Sequence, residues 1–146
     1  MTLEQRQAVV AEAKSWVRTP YHHEGRVKGA GVDCLWLLYA VYTNCGVIKP
    51  FKVPHYSHQW HLHRGDELYE NGILQHAYRV SDEETPMSGD VVLYREGRTM
   101  SHGAIVTEWP MVIHADSTCR MVIEADGTQG RLADRERRTY RMKSVG

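Results

Sequence analysis

The chain lacks an excess of either charge: 18 Lys and Arg stand against 18 Asp and Glu in 146 residues. A protein built to coat nucleic acid shows a basic surplus, so the balance argues against that partner. It also lacks a long apolar run. The longest, Leu35 to Tyr42, has eight residues, whereas a membrane span needs about 20. The opening Met1-Thr2-Leu3-Glu4-Gln5-Arg6 lacks the basic-then-apolar order of a signal peptide, so synthesis in the cytoplasm without one is expected. Cysteine is scarce. Cys34, Cys45 and Cys119 form no CxxC pair, which makes a poor disulfide framework and a poor zinc ribbon. That fits a reducing compartment and leaves room for one cysteine with a chemical task. No internal repeat or low-complexity segment is present.

What is there suits one domain over residues 1–146, since a chain of this size hides roughly two-thirds of its unfolded surface. Thr2 and Gln5 read as a capping box. Leu3, Ala8, Val9, Ala11, Trp16 and Val17 predict an amphipathic helix to about Val17, ended by Pro20. A glycine-rich loop follows over Tyr21–Gly31. The apolar stretch from Leu35 to about Asn44 predicts a buried central helix stopped by Gly46. A more polar helix is predicted over Trp60–Asn71, ended by Gly72, and Ile73–Glu84 is ambiguous. Strands are predicted at Val91–Tyr94, Gly103–Thr107, Met111–Ala115 and Met121–Ala125. The tail from Arg131 to Lys143 has six basic and two acidic residues and reads as a solvated face. It is also a candidate to meet an anionic polymer. Helices first and strands afterwards make an α+β domain with an antiparallel sheet.

The sharpest chemical feature is Asp33-Cys34 at the start of the apolar helix. Asp33 can cap that helix. A thiol at a helix N-terminus meets backbone N–H groups and the positive end of the macrodipole, which favour the thiolate. The plain alternative is a small core cysteine. The second feature is Ser101-His102-Gly103-Ala104-Ile105-Val106 followed by Val112-Ile113-His114-Ala115. If a hairpin closes near Glu108–Pro110, alternation puts His102 and His114 on adjacent strands at similar height. One imidazole can then hold the other, as a cysteine nucleophile's base requires.

The order Thr19-Pro20-Tyr21, Gly31-Val32-Asp33-Cys34, Ser88-Gly89-Asp90-Val91-Val92, Ser101-His102-Gly103-Ala104-Ile105-Val106 and His114-Ala115 resembles the NlpC-type cysteine peptidases. These are papain-like enzymes that hydrolyse bacterial cell-wall peptides. The stretch from Trp16 to Arg64 is similar to the branch found in phage-tail and gene-transfer-agent clusters. The resemblance implies Cys34 as nucleophile, His102 as general base, His114 as its orienting partner and Tyr21 beside the nucleophile, facing the oxyanion together with the Cys34 N–H. It implies substrate contacts from Asp33, Trp36, Ser101 and Gly103, no cofactor and no metal. It implies cleavage of a γ-D-glutamyl–diamino acid amide in peptidoglycan stem peptides, by a phage or prophage tail product acting at the cell wall beside tail proteins. One departure stands out. The family has a small residue and then glycine after the cysteine, and this chain has Leu35-Trp36.

Two other readings remain open. One is a catalytically inactive tail-assembly or wall-binding module with the same fold, which Leu35-Trp36 favours. The other is a metal-binding protein built on His55, His58, His61 and His63, whose spacing matches no helical His-Glu-x-x-His site. Cys45, Cys119 and His76 read as packing or surface residues. The scattered tryptophans Trp16, Trp36, Trp60 and Trp109 read as core and rim packing.

Overall fold

The computed structural model describes residues 1–56 and 68–143. Helix α1 spans Leu3–Lys14, α2 Cys34–Asn44 and α3 Leu68–Leu74. A two-stranded ribbon joins β1 (Arg26–Val27) to β2 (Gly31–Val32) inside the loop before α2. Strands β3 (Ala77–Arg79), β4 (Val91–Glu96), β5 (Thr99–Glu108), β6 (Met111–Asp116), β7 (Met121–Asp126) and β8 (Arg137–Met142) form one antiparallel sheet. Its order is β3-β8-β4-β5-β6-β7. This is the expected α+β arrangement. Among the described residues no helix is long and apolar enough to cross a membrane.

The capping box forms: the Gln5 N–H donates to Thr2 Oγ1 at 3.1 Å, and the Thr2 N–H donates to Gln5 Oε1 at 2.8 Å. Helix α1 stops three residues earlier than its apolar pattern suggests. The chain turns out at Arg18, whose φ is 77°, so that Arg18 N–H can reach the Val122 carbonyl at 2.9 Å. Pairing with β7 wins over a further helical turn. Helix α2 behaves as its sequence predicts and ends at Gly46, with φ of 71°, the left-handed conformation that glycine adopts without a Cβ penalty.

The sheet divides the apolar residues into two layers. Val91, Leu93, Ile105, Ile113, Ala115 and Val122 face Leu37, Leu38 and Val41 of α2. Val92, Tyr94, Ala104, Val106 and Val112 face the other way and meet Leu132 and Trp109. Gly103 lets α2 and α3 close on β5, because a Cβ there would stand 2.5 Å from both Leu38 Cδ1 and Tyr69 Oη.

The basic tail is a solvated face only in part: Arg131, Asp134, Glu136, Arg137 and Lys143 are exposed, while Leu132, Tyr140 and Met142 are buried. Its residues 137–142 form β8, inserted between β3 and β4 with Tyr140 opposite Val91. Two of its arginines, on opposite faces of the strand, are paired: Arg141 with Asp90 at 2.9 Å and Arg138 with Glu70 at 2.8 Å. Glu70 also accepts from the buried Tyr140 hydroxyl. These contacts fix α3 to β8 and carry the helix through Gly72, which therefore is not its stop. Trp60, His58, His61 and His63, and the first part of the predicted polar helix, lie outside the described residues.

Trp36 packs against the ribbon, with the Arg26 guanidinium 3.8 Å from its ring centroid and Tyr39 edge-on at 4.9 Å. It is 6% exposed. Trp36→Gly removes a large buried ring and adds glycine inside a helix, so the expected loss of stability is about 4 kcal/mol or more. A urea unfolding curve measures it. A loss below about 1 kcal/mol, the size of a surface change, would mean that the ring contributes little packing.

Candidate active site

Asp33 caps α2: its Oδ1 accepts from the Trp36 N–H at 2.9 Å. Its other oxygen accepts from the Glu24 N–H at 2.8 Å and from the Tyr56 hydroxyl. Asp33 is thus fully engaged, and it fixes Cys34 as the first residue of the helix.

Where that helix start meets the sheet, the sheet is split. Strands β5 and β6 pair from Glu108 and Met111 only as far as Ile105 opposite Ile113. Beyond that point β5 continues with β4 and β6 continues with β7. Cys34 is set into the opened edge of β5. Its thiol donates to the Ser101 carbonyl at 3.7 Å, and the Gly103 N–H points back at the sulfur. In a strand, the carbonyl of one residue and the N–H two residues on project to the same side and flank the residue between them. The sulfur therefore lies beside the backbone of His102.

The His102 ring leaves the sheet on the side of Tyr94, 6.3 Å from that ring centroid. Its Nε2 meets His114 Nδ1 at 2.8 Å. With the proton on Nε2, His102 donates to His114, and its Nδ1 is left with a free lone pair. Among the described residues Nδ1 has no other hydrogen-bond partner. The two histidines are brought together as strand alternation predicts. The thiol hydrogen goes to the Ser101 carbonyl rather than to the imidazole.

The cleft over Cys34 has a volume of about 690 Å³. Tyr21, Asp33, Leu35 and Ser101 line it. Ser101 Oγ is buried with no partner among the described residues. Trp36 and Gly103, expected as substrate contacts, are not in its lining: Trp36 packs against the ribbon and Gly103 lies under the helices. The lining also includes residues that sequence reasoning missed: His22, His23, Tyr56, Glu96, Ser117 and Arg120. Only Glu96 carried a usable signal, its place in the turn Arg95-Glu96-Gly97-Arg98 that leads back to Ser101.

The electrostatics reverse one expectation. Burial pushes the Cys34 thiol above the ordinary cysteine range, and the charges of Asp33 and Glu96 push it further. The Gly103 N–H and the Tyr69 hydroxyl act in the opposite direction without offsetting this. Burial likewise holds Tyr21 protonated. Burial lowers His102 to about 4, aided by the positive Arg135, while Asp116 opposes. Burial and then His102 lower His114 to about 3. At neutral pH the site therefore holds a thiol and two neutral imidazoles. Such a set can move one proton from sulfur to nitrogen when an electrophile arrives.

Those low values bear on stability. An unfolded histidine titrates near 6.5. Between there and about 4, the unfolded chain binds a proton that folded His102 refuses, so stability falls as pH drops through that window. From pH 7 to pH 5 the expected loss is on the order of 2 kcal/mol. Urea midpoints at the two pH values should show it, and the double variant His102→Asn, His114→Asn should be markedly flatter. An equal slope in the variant would place the acid sensitivity elsewhere.

Among the described residues no group of three or more His, Cys, Asp or Glu is arranged to hold a metal ion. His55 Nδ1 instead meets Glu24 at 2.8 Å. Cys45 and Cys119 are free thiols, and Cys119 donates to Asp116 at 3.3 Å.

The model of the NlpC/P60 family matches residues 18–137. No curated protein matches the chain. Among solved structures, NlpC1 from Trichomonas vaginalis superposes with a TM-score of 0.68 at 15% identity, over 95% of this chain and 44% of its own. The chain thus spans less than half the length of that relative. The NlpC/p60 domain of the peptidoglycan hydrolase SagA gives 0.61 at 19% identity, over 91% of this chain and 96% of its own. RipD from Mycobacterium tuberculosis, a non-catalytic NlpC/p60 domain protein adapted to peptidoglycan binding, gives 0.59 at 16%, over 96% and 98%. These identities carry the fold: the papain-like NlpC/P60 fold, with helices on an antiparallel sheet.

Proposed function

The chain belongs to the NlpC/P60 family, and from that premise we propose that it is a cysteine peptidase hydrolysing the γ-D-glutamyl–diamino acid amide of peptidoglycan stem peptides. The family contains peptidoglycan hydrolases and non-catalytic members alike. The observation that carries the catalytic reading is the seat of Cys34: beside the His102 backbone, with His102 Nε2 held by His114 and Nδ1 open.

In this reading a substrate carbonyl enters over the sulfur. A turn about the Cys34 side chain takes the thiol hydrogen from the Ser101 carbonyl to His102 Nδ1. The proton passes to nitrogen as sulfur bonds to the carbonyl carbon. The oxyanion that forms faces the Tyr21 hydroxyl and the Cys34 N–H. His102 then gives the proton to the departing amine as the C–N bond breaks, leaving a thioester. Water deprotonated by the same nitrogen releases the acid and restores the thiol. The setting that fits the tail-type pattern between Trp16 and Arg64 is a phage or prophage tail particle, made in the bacterial cytoplasm and acting on the wall beside other tail proteins.

Mass spectrometry of purified muropeptides after incubation tests the reaction. New products split between D-glutamate and the diamino acid are expected. Intact muropeptides, together with retained binding, would favour the second reading, a wall-binding module. The raised thiol pKa and Leu35-Trp36 are what favour that module. A thiolate–imidazole site supplies its own nucleophile and acid, so cleavage is expected to continue at an unchanged rate in excess chelator. Loss in chelator with recovery on added zinc would point to the histidines between His55 and His63.

A further inference from the structure

Resting on that reading of the cleft, we propose that Glu96 selects substrates whose diamino acid carries a free side-chain ammonium group, and that pairing with this cation makes Cys34 easier to ionise. Glu96 stands at the end of β4, where the hairpin returns toward Ser101, and its side chain lines the Cys34 cleft. It is half-exposed. The other carboxylate of the cleft, Asp33, has both oxygens occupied. Glu96 makes no side-chain hydrogen bond among the described residues. Its one ion-pair neighbour there, Arg135, is 3.8 Å away and spends that same Nη1 on the Arg95 carbonyl at 3.1 Å. Among the described residues that line the cleft, Glu96 is therefore the carboxylate with acceptor capacity to spare.

Its charge acts on Cys34 of α2, Tyr21 of the loop before β1 and His114 of β6; Arg135 is its ion-pair neighbour, and His22, His23 and Arg120 line the same cleft. A carboxylate near a thiol opposes formation of the thiolate, and the Glu96 charge does so for Cys34 with Arg135 at 3.8 Å. A bound ammonium removes that opposition. Recognition and activation then draw on one charge, and a substrate lacking the cation loses in both.

The proposal is tested first by binding, in a Cys34→Ala background that cannot turn over. L-Ala-γ-D-Glu-L-Lys-D-Ala and its Nε-acetyl form are titrated into Cys34→Ala and into Cys34→Ala, Glu96→Gln. The free-amine peptide should bind about two- to fivefold more tightly in the first protein, the range of a partly exposed ion pair, and equally in the second. Equal binding in the first protein, or a preference that survives Glu96→Gln, overturns the proposal. So does failure of both peptides to bind. The second measurement is the pH dependence of Cys34 alkylation by iodoacetamide, followed residue by residue. Glu96→Gln should move its midpoint to lower pH, and an unmoved midpoint overturns the coupling. The peptidase reading is judged separately: wild-type protein that cleaves both peptides at equal rates keeps that reading while Glu96 selectivity fails.

Discussion

Cys34→Ala is expected to lower muropeptide cleavage by about 10⁴-fold or more, to background, because the nucleophile of a covalent mechanism has no substitute. The fold should survive. Cys34 is half-buried at the mouth of a cleft, and alanine keeps the helix start that Asp33 caps. What is lost is a sulfur with its long hydrogen bond to the Ser101 carbonyl and its contact with the Gly103 N–H, a cost of about 1 kcal/mol. Product analysis and a melting curve on the same preparation separate the two effects. Cleavage at the wild-type rate by the variant would remove the peptidase reading. A collapse of the melting transition would instead mean that the sulfur is a packing residue, as most free cysteines are. Residue-resolved labelling adds a check: iodoacetamide should reach Cys34 faster than Cys119 only if His102 takes its proton, since Cys119 is exposed and Cys34 is not.

Local features were legible because their causes are local. The Asp33 cap, the Thr2–Gln5 box and the stop at Gly46 each depend on residues within a turn of one another. The meeting of His102 with His114 needed only the alternation of two strands and a short hairpin. What the sequence hid was set by partners far along the chain. Residues 137–142 look like a charged tail until Tyr140 is placed opposite Val91 and Arg138 against Glu70. Helix α3 runs past Gly72 because its contacts with β8 outweigh the roughly 1 kcal/mol that glycine costs in a helix. The thiol pKa went the other way for the same reason. A helix N-terminus can be read from sequence, but the desolvation of Cys34 and the approach of Glu96 arise from tertiary structure. The two residues of the Leu35-Trp36 departure also part in tertiary placement: Trp36 lies against Arg26, outside the cleft lining, while Leu35 lines the cleft.

His102→Ala is expected to cost about 10²–10⁴-fold in kcat/KM, the usual worth of general acid–base catalysis, and His114→Ala distinctly less. The asymmetry follows from which nitrogen does what. His102 Nδ1 is the lone pair left for the sulfur's proton, since His102 Nε2 is held by His114. His114 acts one bond away. By accepting from His102 Nε2 it fixes the tautomer in which Nδ1 is unprotonated, and it steadies the imidazolium that forms. Without it His102 still has the right element, though in two tautomers and with a freer ring. The two changes also differ in readout. His114→Ala empties a buried site that is 3% exposed, so it should lower stability as well as rate. His114→Asn, which can still offer an acceptor to Nε2, should restore most of the rate while moving the acid limb of the pH–rate profile. His102→Asn should restore nothing, because an amide cannot take the thiol's proton. Equal losses for the two alanine variants, or rescue by asparagine at 102, would mean that the proton is carried by another group in the cleft, with His22 and His23 the nearest candidates by position.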